Sequence, residues 1–221
     1  MKKHLFFISI SLLINCTSAF AIPNFSKIDT YTIKAEQDYL AATPAKNQNG
    51  TINAIIEIPT GSNEKWEVSK VDGSVINWEF KNGQPRIVHY LGYPSNYGTI
   101  PHTALPKSLG GDGDPLDVLV LGSAMVQGSI VQVRLIGGLK MLDDGEQDDK
   151  LLAVPISEQS PFKKITSIKE LQQHFPGVLA IIETWFSNYK GSDAKVVIEG
   201  SLSKQEALEV LDKAIKYYKL D

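Results

Sequence analysis

Asp112-Gly113-Asp114-Pro115-Leu116-Asp117-Val118-Leu119-Val120-Leu121 sets three carboxylates within six residues directly before an apolar run. Gly113 and Pro115 force a turn, and the four apolar residues that follow read as a buried strand. The turn therefore aims several hard oxygen ligands at one small volume beside a strand end. At about 4 Å two like charges repel by roughly 4 kcal/mol for an effective dielectric of 20, so either some carboxylates protonate or divalent cations sit among them. With no Cys and no paired His nearby, such a donor set favours Mg2+, Mn2+ or Ca2+ over Zn2+. Taken alone, the stretch is equally well explained as a solvated acidic loop.

Outward from that strand, short β-branched and aromatic runs recur at residues 52–58, 65–68, 75–80, 86–89, 130–136 and 151–154, with turn residues between them. This spacing predicts a curled antiparallel sheet or small barrel. After Ser157 the period changes. Ser167-Ile168-Lys169-Glu170 and Ser203-Lys204-Gln205-Glu206 have the Ser-x-x-Glu form of a capping box, which predicts two helix starts. Residues 176–189 carry Val178, Ile181, Ile182, Trp185 and Phe186 at helical spacing, and 195–199 read as one more strand. Ala207, Leu208, Leu211, Ala214, Ile215 and Tyr218 mark a final covering helix. The expected fold class is α+β, mainly β: a β-barrel with two or three flanking α-helices, in one domain over residues 51–221.

Residues 1–21 are expected to stand apart as a secretory signal peptide. Lys2 and Lys3 form a positive start, residues 5–14 are almost wholly apolar, and Ala19-Phe20-Ala21 is the small-x-small pattern that precedes cleavage. The apolar run is too short to span a bilayer comfortably, so no membrane insertion is expected after leader cleavage. Cys16 leaves with the leader, so an oxidising compartment adds no disulfide. Asn15 beside it disfavours a lipid anchor. Residues 22–50, polar and holding Pro23 and Pro44, predict an N-terminal arm outside the main core. The net charge of −3, from 22 basic and 25 acidic side chains, becomes −5 without the leader, which counts against a general electrostatic grip on nucleic acid.

A second acidic run, Asp143-Asp144-Gly145-Glu146-Gln147-Asp148-Asp149-Lys150, lies between two predicted strands. Neither run has the Gly and Glu positions or the flanking helices of an EF-hand. Two acidic turns at strand ends of one barrel can converge on a shared multi-metal cluster. Glu57 ends an otherwise apolar run and is costly if buried without a cation. In Lys65-Trp66-Glu67 the strand period puts Lys65 and Glu67 on one face, most simply an exposed pair. Tyr93-Pro94-Ser95-Asn96-Tyr97-Gly98 reads as a turn bearing two phenols, and Tyr189-Lys190 as a helix end. Arg86, Lys65, Lys150 and Lys190 form a set of phosphate donors if they face the acidic cluster.

Together these segments resemble, in order and approximate spacing, the family I soluble inorganic pyrophosphatases over about residues 51–200. The resemblance implies an OB-like five-stranded barrel with flanking helices that uses Mg2+ to hydrolyse diphosphate. It implies that Asp112, Asp117 and Asp148 bind the metal pair that holds the attacking water, with Asp117 bridging. Asp114 becomes the base, and Asp143, Asp148 and Glu57 serve the metals that arrive with substrate. Glu67 and Asp144 join Asp114 in an acidic shell; Lys65, Arg86, Tyr97, Lys150, Tyr189 and Lys190 hold the phosphates, with Tyr93 auxiliary. Mn2+ is an expected substitute and Ca2+ an expected inhibitor, since its looser coordination misplaces the nucleophile. The resemblance also implies a homo-oligomer, as relatives include dimers and hexamers.

Three departures stand out. Asp144 occupies a position where the family usually has Glu, Glu79-Phe80-Lys81-Asn82-Gly83-Gln84-Pro85-Arg86 looks like the longer eukaryotic-type loop, and a leader with a polar arm is atypical of a cytosolic family. An exported copy points to another purpose, such as phosphate scavenging. Two alternatives compete: a secreted Ca2+-binding module without catalysis, and an OB-fold oligonucleotide binder, for which an acidic lip has the wrong sign.

Overall fold

The protein, as a computed structural model, is described over residues 25–106, 108, 111, 113–192 and 195–218. The expected leader with Cys16, and Asp112 of the acidic turn, lie outside the described residues. In chain order come β1 (Phe25–Lys27), β2 (Thr32–Ala35), the single turn α1 (Tyr39–Ala42), β3 (Ile52–Ile58), β4 (Trp66–Val68) and β5 (Val75–Trp78). The hairpin β6 (Phe80–Lys81) and β7 (Gln84–Pro85) precedes β8 (Asn96–Thr99), β9 (Asp117–Val120), the long β10 (Ile130–Asp143), β11 (Glu146–Gln147) and β12 (Lys150–Pro155). Helices α2 (Ile168–His174) and α3 (Val178–Asn188), then β13 (Val196–Leu202) and α4 (Lys204–Tyr218), complete the fold.

Strands β3, β8, β9, β12 and β10 pair in that order, and the start of β10 returns to β3, Ile130 opposite Ile55 through Val133 opposite Ile52. This seam is four residue pairs long, so the five strands make an OB-like barrel that is curled round rather than tightly sealed. The sheet is not purely antiparallel as expected: β9 and β12 run parallel, Val118 beside Leu151. Gly98 permits the close approach of β8 to β3, because a Cβ there would sit 1.9 Å from the Ile55 carbonyl oxygen. At Gly137, φ +155°, β10 bends beside a register shift, and its second half turns to pair with β13. A bulge with glycine is how a long strand serves two sides of a barrel.

Alternation along the strands divides their side chains between two cores. Val118, Val120, Leu151 and Ala153 pack with Ala207 and Leu211 of α4. Leu119, Leu152 and Val154 pack with Leu171 of α2 and Ile182, Trp185 and Phe186 of α3. Both predicted helix starts hold: Ser167 Oγ accepts the Glu170 N–H at 3.2 Å, and Ser203 and Glu206 exchange bonds at 3.3 and 2.7 Å.

The N-terminal arm is a correction. From Phe25 on it belongs to the fold: β1 and β2 extend β5 and β4 into a four-stranded sheet, and Ile33, Tyr39 and Leu40 are core residues. Its burial follows the alternation Thr32-Ile33-Lys34-Ala35, whose apolar members face inward. Residues 86–89, expected as a strand, make only an isolated bridge from Ile87 to Glu64. Residues 96–98, expected as part of a turn over 93–98, fall instead in β8, a buried central strand. Among the described residues no helix is long and apolar enough to cross a membrane.

Candidate active site

The parallel register of β9 and β12 decides the centre of the site. Val118 lies beside Leu151, so the residues just before them, Asp117 and Lys150, are neighbours at the same strand ends. The Lys150 side chain is 4% exposed, and its Nζ pairs with Asp117 and, at 2.6 Å, with Asp148. Burial works against its charge, but the two carboxylates outweigh burial and raise its pKa. Burial lifts the Asp148 carboxyl above its ordinary range, Lys150 opposing and Asp117 adding to the rise. On β8, Tyr97 faces Asp117, and burial, with the Asp117 charge adding to it, keeps its phenol neutral by raising its pKa well above the usual value. The Lys65 and Lys150 ammonium groups lie 5.1 and 5.8 Å from the centre of its ring.

Glu57 sits where β3 slips register against β8, between Ile56 and Ile58. The irregularity turns a side chain that strict alternation would fix, which is a common use of bulges beside sites. Its carboxylate is buried and accepts the Val68 N–H at 2.7 Å. Burial pushes its pKa up to about 8, with Lys65 and the Val68 N–H opposing. Lys65 bonds Glu67 at 2.6 Å. Burial disfavours both charges of this pair, yet Lys65 wins at Glu67 and lowers its pKa.

Opposite these groups, Arg86 Nη1 straddles both oxygens of Glu79 at 2.7 and 2.9 Å. Lys190, past the end of α3, pairs with Asp143, whose other oxygen, Oδ1, is buried and accepts no hydrogen bond. Tyr189 stacks on Trp185, centroids 4.6 Å apart and planes 12° from parallel. Burial raises the Tyr93 and Tyr189 phenols, so both are neutral donors. Asp114 pairs with Lys70.

All of these groups except Glu79 and Trp185 line one cavity of about 230 Å³. Every described residue of the expected site is on its wall but one. Asp144 points elsewhere: with φ +49° it is the first central residue of the turn from β10 to β11, Gly145 at φ +86° the second, and its carboxylate accepts the Lys195 N–H at 3.3 Å. Two left-handed residues make the tight hairpin turn that favours Asp-Gly, so the position serves backbone geometry. Lys70 and Thr99 also line the cavity without any sequence signal, as does Phe186, which the sequence marks only as part of the apolar helical stripe. Lys70 stands alone in Ser69-Lys70-Val71-Asp72, where nothing marks it.

Carboxylate oxygens without Cys or His, an unpartnered buried oxygen on Asp143 and a buried Glu57 short of positive charge suit hard divalent cations. Among the described residues no three acidic, His or Cys side chains converge on a single ion position, because lysines lie between the carboxylates. Such cations would therefore complete their shells with water or phosphate oxygens, as Mg2+ commonly does.

A curled barrel with carboxylates, lysines and an arginine interleaved on its rim defines a site for hard cations and oxyanions together. Comparison with known proteins gives the family. The description "Inorganic pyrophosphatase" matches residues 54–219. The chain is 38% identical over 168 residues to an inorganic pyrophosphatase of Helicobacter pylori, covering 74% of this chain and 89% of that protein. Inorganic pyrophosphatase 1 of Caenorhabditis elegans is 33% identical over 193 residues, but those span 79% of this chain and only 45% of the nematode protein. A crystal structure of type I inorganic pyrophosphatase from P falciparum superposes with a TM-score of 0.77 at 25% identity, covering 89% of this chain and 71% of that one. The chain belongs to the inorganic pyrophosphatase family, in the family I soluble group that the motifs resemble.

Proposed function

We propose that the protein hydrolyses inorganic diphosphate to two orthophosphates with several Mg2+ ions. The observation that carries this reading is the pairing of Lys150 with Asp117 and Asp148 inside a cavity that also gathers Lys65, Arg86 and Lys190. Both halves of the chemistry, carboxylates for cations and cations for phosphate, line one small volume.

Diphosphate resists water because the nucleophile must approach negative charge and the leaving phosphate departs with more. Asp112, Asp117, Asp143, Asp148 and Glu57 are the residues that would hold the cations, Mg2+ by preference and Mn2+ as a substitute, with Ca2+ inhibiting. Bound cations supply charge that lowers the pKa of a water from about 16 toward 7. Asp114, on the same cavity wall and paired with Lys70, accepts the proton of that water. Lys65, Lys150 and neutral Tyr97 donate to the phosphate under attack. Arg86, Tyr189 and Lys190 hold the departing phosphate and stabilise its growing charge. Glu67 and Asp148 engage the lysines beforehand. With substrate and cations bound, Lys65 and Lys150 would turn from these carboxylates to phosphate oxygens, and Asp148 would be released to hold a cation. The acidic shell thereby keeps a bare polyanion out.

The test is orthophosphate release from diphosphate by purified protein, with and without Mg2+. Mg2+-dependent release is expected, inhibited by Ca2+. Tight Ca2+ binding without any release would instead make the protein a silent binding module. Export after cleavage at Ala21, to the periplasm or outside, is part of the reading and rests on Lys2, Lys3 and the apolar run; N-terminal sequencing of the mature protein tests it. Assembly as a homo-oligomer is supported by the exposure of Leu91 and Ile181 on one apolar hollow.

A further inference from the structure

Beside the reaction cavity, next to the β6–β7 hairpin, lies a larger hollow of about 890 Å³. Arg86, Tyr189 and Lys190 form part of both walls, whereas Asp114 and Asp117 have no part in the second. The hollow therefore adjoins the cavity on the side that holds the departing phosphate. Lys81, Asn82 and Gln84 of the hairpin and His89 supply its remaining polar wall. Two acidic groups also face it, and both are engaged: Glu79 with Arg86, and Asp144 with the Lys195 N–H.

We infer that this hollow is the subsite for phosphates beyond the second in a linear inorganic polyphosphate, an inference that rests on the diphosphatase reading. The chemistry needs no new group. A water oxygen bonds to the terminal phosphorus at the Asp114 end, and the bridging P–O bond breaks. Its electron pair leaves with the rest of the chain, and the proton goes to Asp114. From tripolyphosphate the products are orthophosphate and diphosphate. Only the leaving group lengthens, and it lengthens past Arg86 and Lys190 toward Lys81. A nucleotide fits less well, because the aromatic ring in the shared wall, Tyr189, already has one face stacked on Trp185.

Steady-state hydrolysis of diphosphate, tripolyphosphate and ATP, with products separated by chromatography, tests the inference on the wild type and on Lys81→Glu and Lys81→Gln. The wild type should cut tripolyphosphate to orthophosphate and diphosphate, and should bind it competitively with diphosphate. Lys81→Glu should raise the KM for tripolyphosphate about tenfold, and Lys81→Gln by less, with diphosphate kinetics unchanged. If diphosphate is turned over but tripolyphosphate neither reacts nor competes, the subsite is refuted and the diphosphatase reading stands. Equal effects of the Lys81 variants on both substrates also refute it, and ATP cleaved faster than tripolyphosphate refutes the inorganic assignment. Absence of diphosphate turnover overturns the underlying reading itself.

Discussion

Lys150 and Asp117 are neighbours across a parallel pair of strands although 33 residues separate them in the chain. The register of β9 on β12 brings Asp117 at the end of the acidic turn and Asp148 of the acidic loop to one barrel end, with the buried Lys150 ammonium between them. That lysine neutralises two carboxylates that would otherwise face each other.

Removing the cation leaves two carboxylates facing each other. Lys150→Met is expected to destabilise the metal-free protein by about 3 kcal/mol, the low end for a broken buried pair because Asp117 and Asp148 keep a quarter of their side-chain surface. Urea unfolding in chelator measures it. Mg2+ should recover part of the loss, and turnover should stay at least about 100-fold down.

Glu57 gives a pH dependence with a defined sign. Its carboxyl is pushed up to about 8 in the fold, against an ordinary value of 4.5. Between those values the native state holds a proton that the unfolded chain has released, so the Glu57 contribution to metal-free stability falls as pH rises. Glu57→Gln should therefore gain on the wild type from pH 5 to pH 8 in chelator, and the gain should shrink in Mg2+. Parallel stability curves for the two proteins would contradict the burial of an uncompensated carboxylate.

Asp144 and Asp143 are adjacent and should behave oppositely. Asp144→Ala is expected to cost about 1 kcal/mol, through the left-handed turn, and to leave kcat and KM within about twofold. Asp143→Ala should lower kcat/KM by about 100-fold or more, because its carboxylate faces the cavity. Steady-state kinetics with thermal melts separates the two.

Deleting residues 22–50 should unfold the protein rather than trim it. Ile33, Tyr39 and Leu40 are 6%, 1% and 8% exposed, and each such side chain contributes about 1.5–3 kcal/mol by burial. Circular dichroism of the truncated chain should show a Tm lower by about 10 °C or more, or no cooperative transition.

Much of this was legible in sequence because it is local. The Ser-x-x-Glu caps and the 178–186 stripe report their own helices, and the acidic turns declare their chemistry through residue type. Strand β8 was hidden for a physical reason. Asn96-Tyr97-Gly98-Thr99 looks like a turn, yet Asn96 is buried because four groups satisfy it: it donates to the Val120 and Ser123 carbonyls and accepts from the Thr60 and Met125 N–H groups. The arm's packing is hard to read because its composition is polar, while its burial depends on the alternation in β2 and on Tyr39. Parallel pairing of β9 with β12 leaves no mark in either strand, so strand-end positions show only that the two acidic runs can converge, and the register shows that they do.

The central claim is that Asp117 and its distant neighbours cage several divalent cations around a phosphate anhydride. Anomalous diffraction from crystals grown with Mn2+ and a non-hydrolysable imidodiphosphate tests it directly. At least two ions should appear in the cavity, one or more on the Asp117 carboxylate, with Lys150 and Arg86 turned onto phosphate oxygens. A bound anion with no ion near Asp117, or ions only on the outer surface, would contradict it.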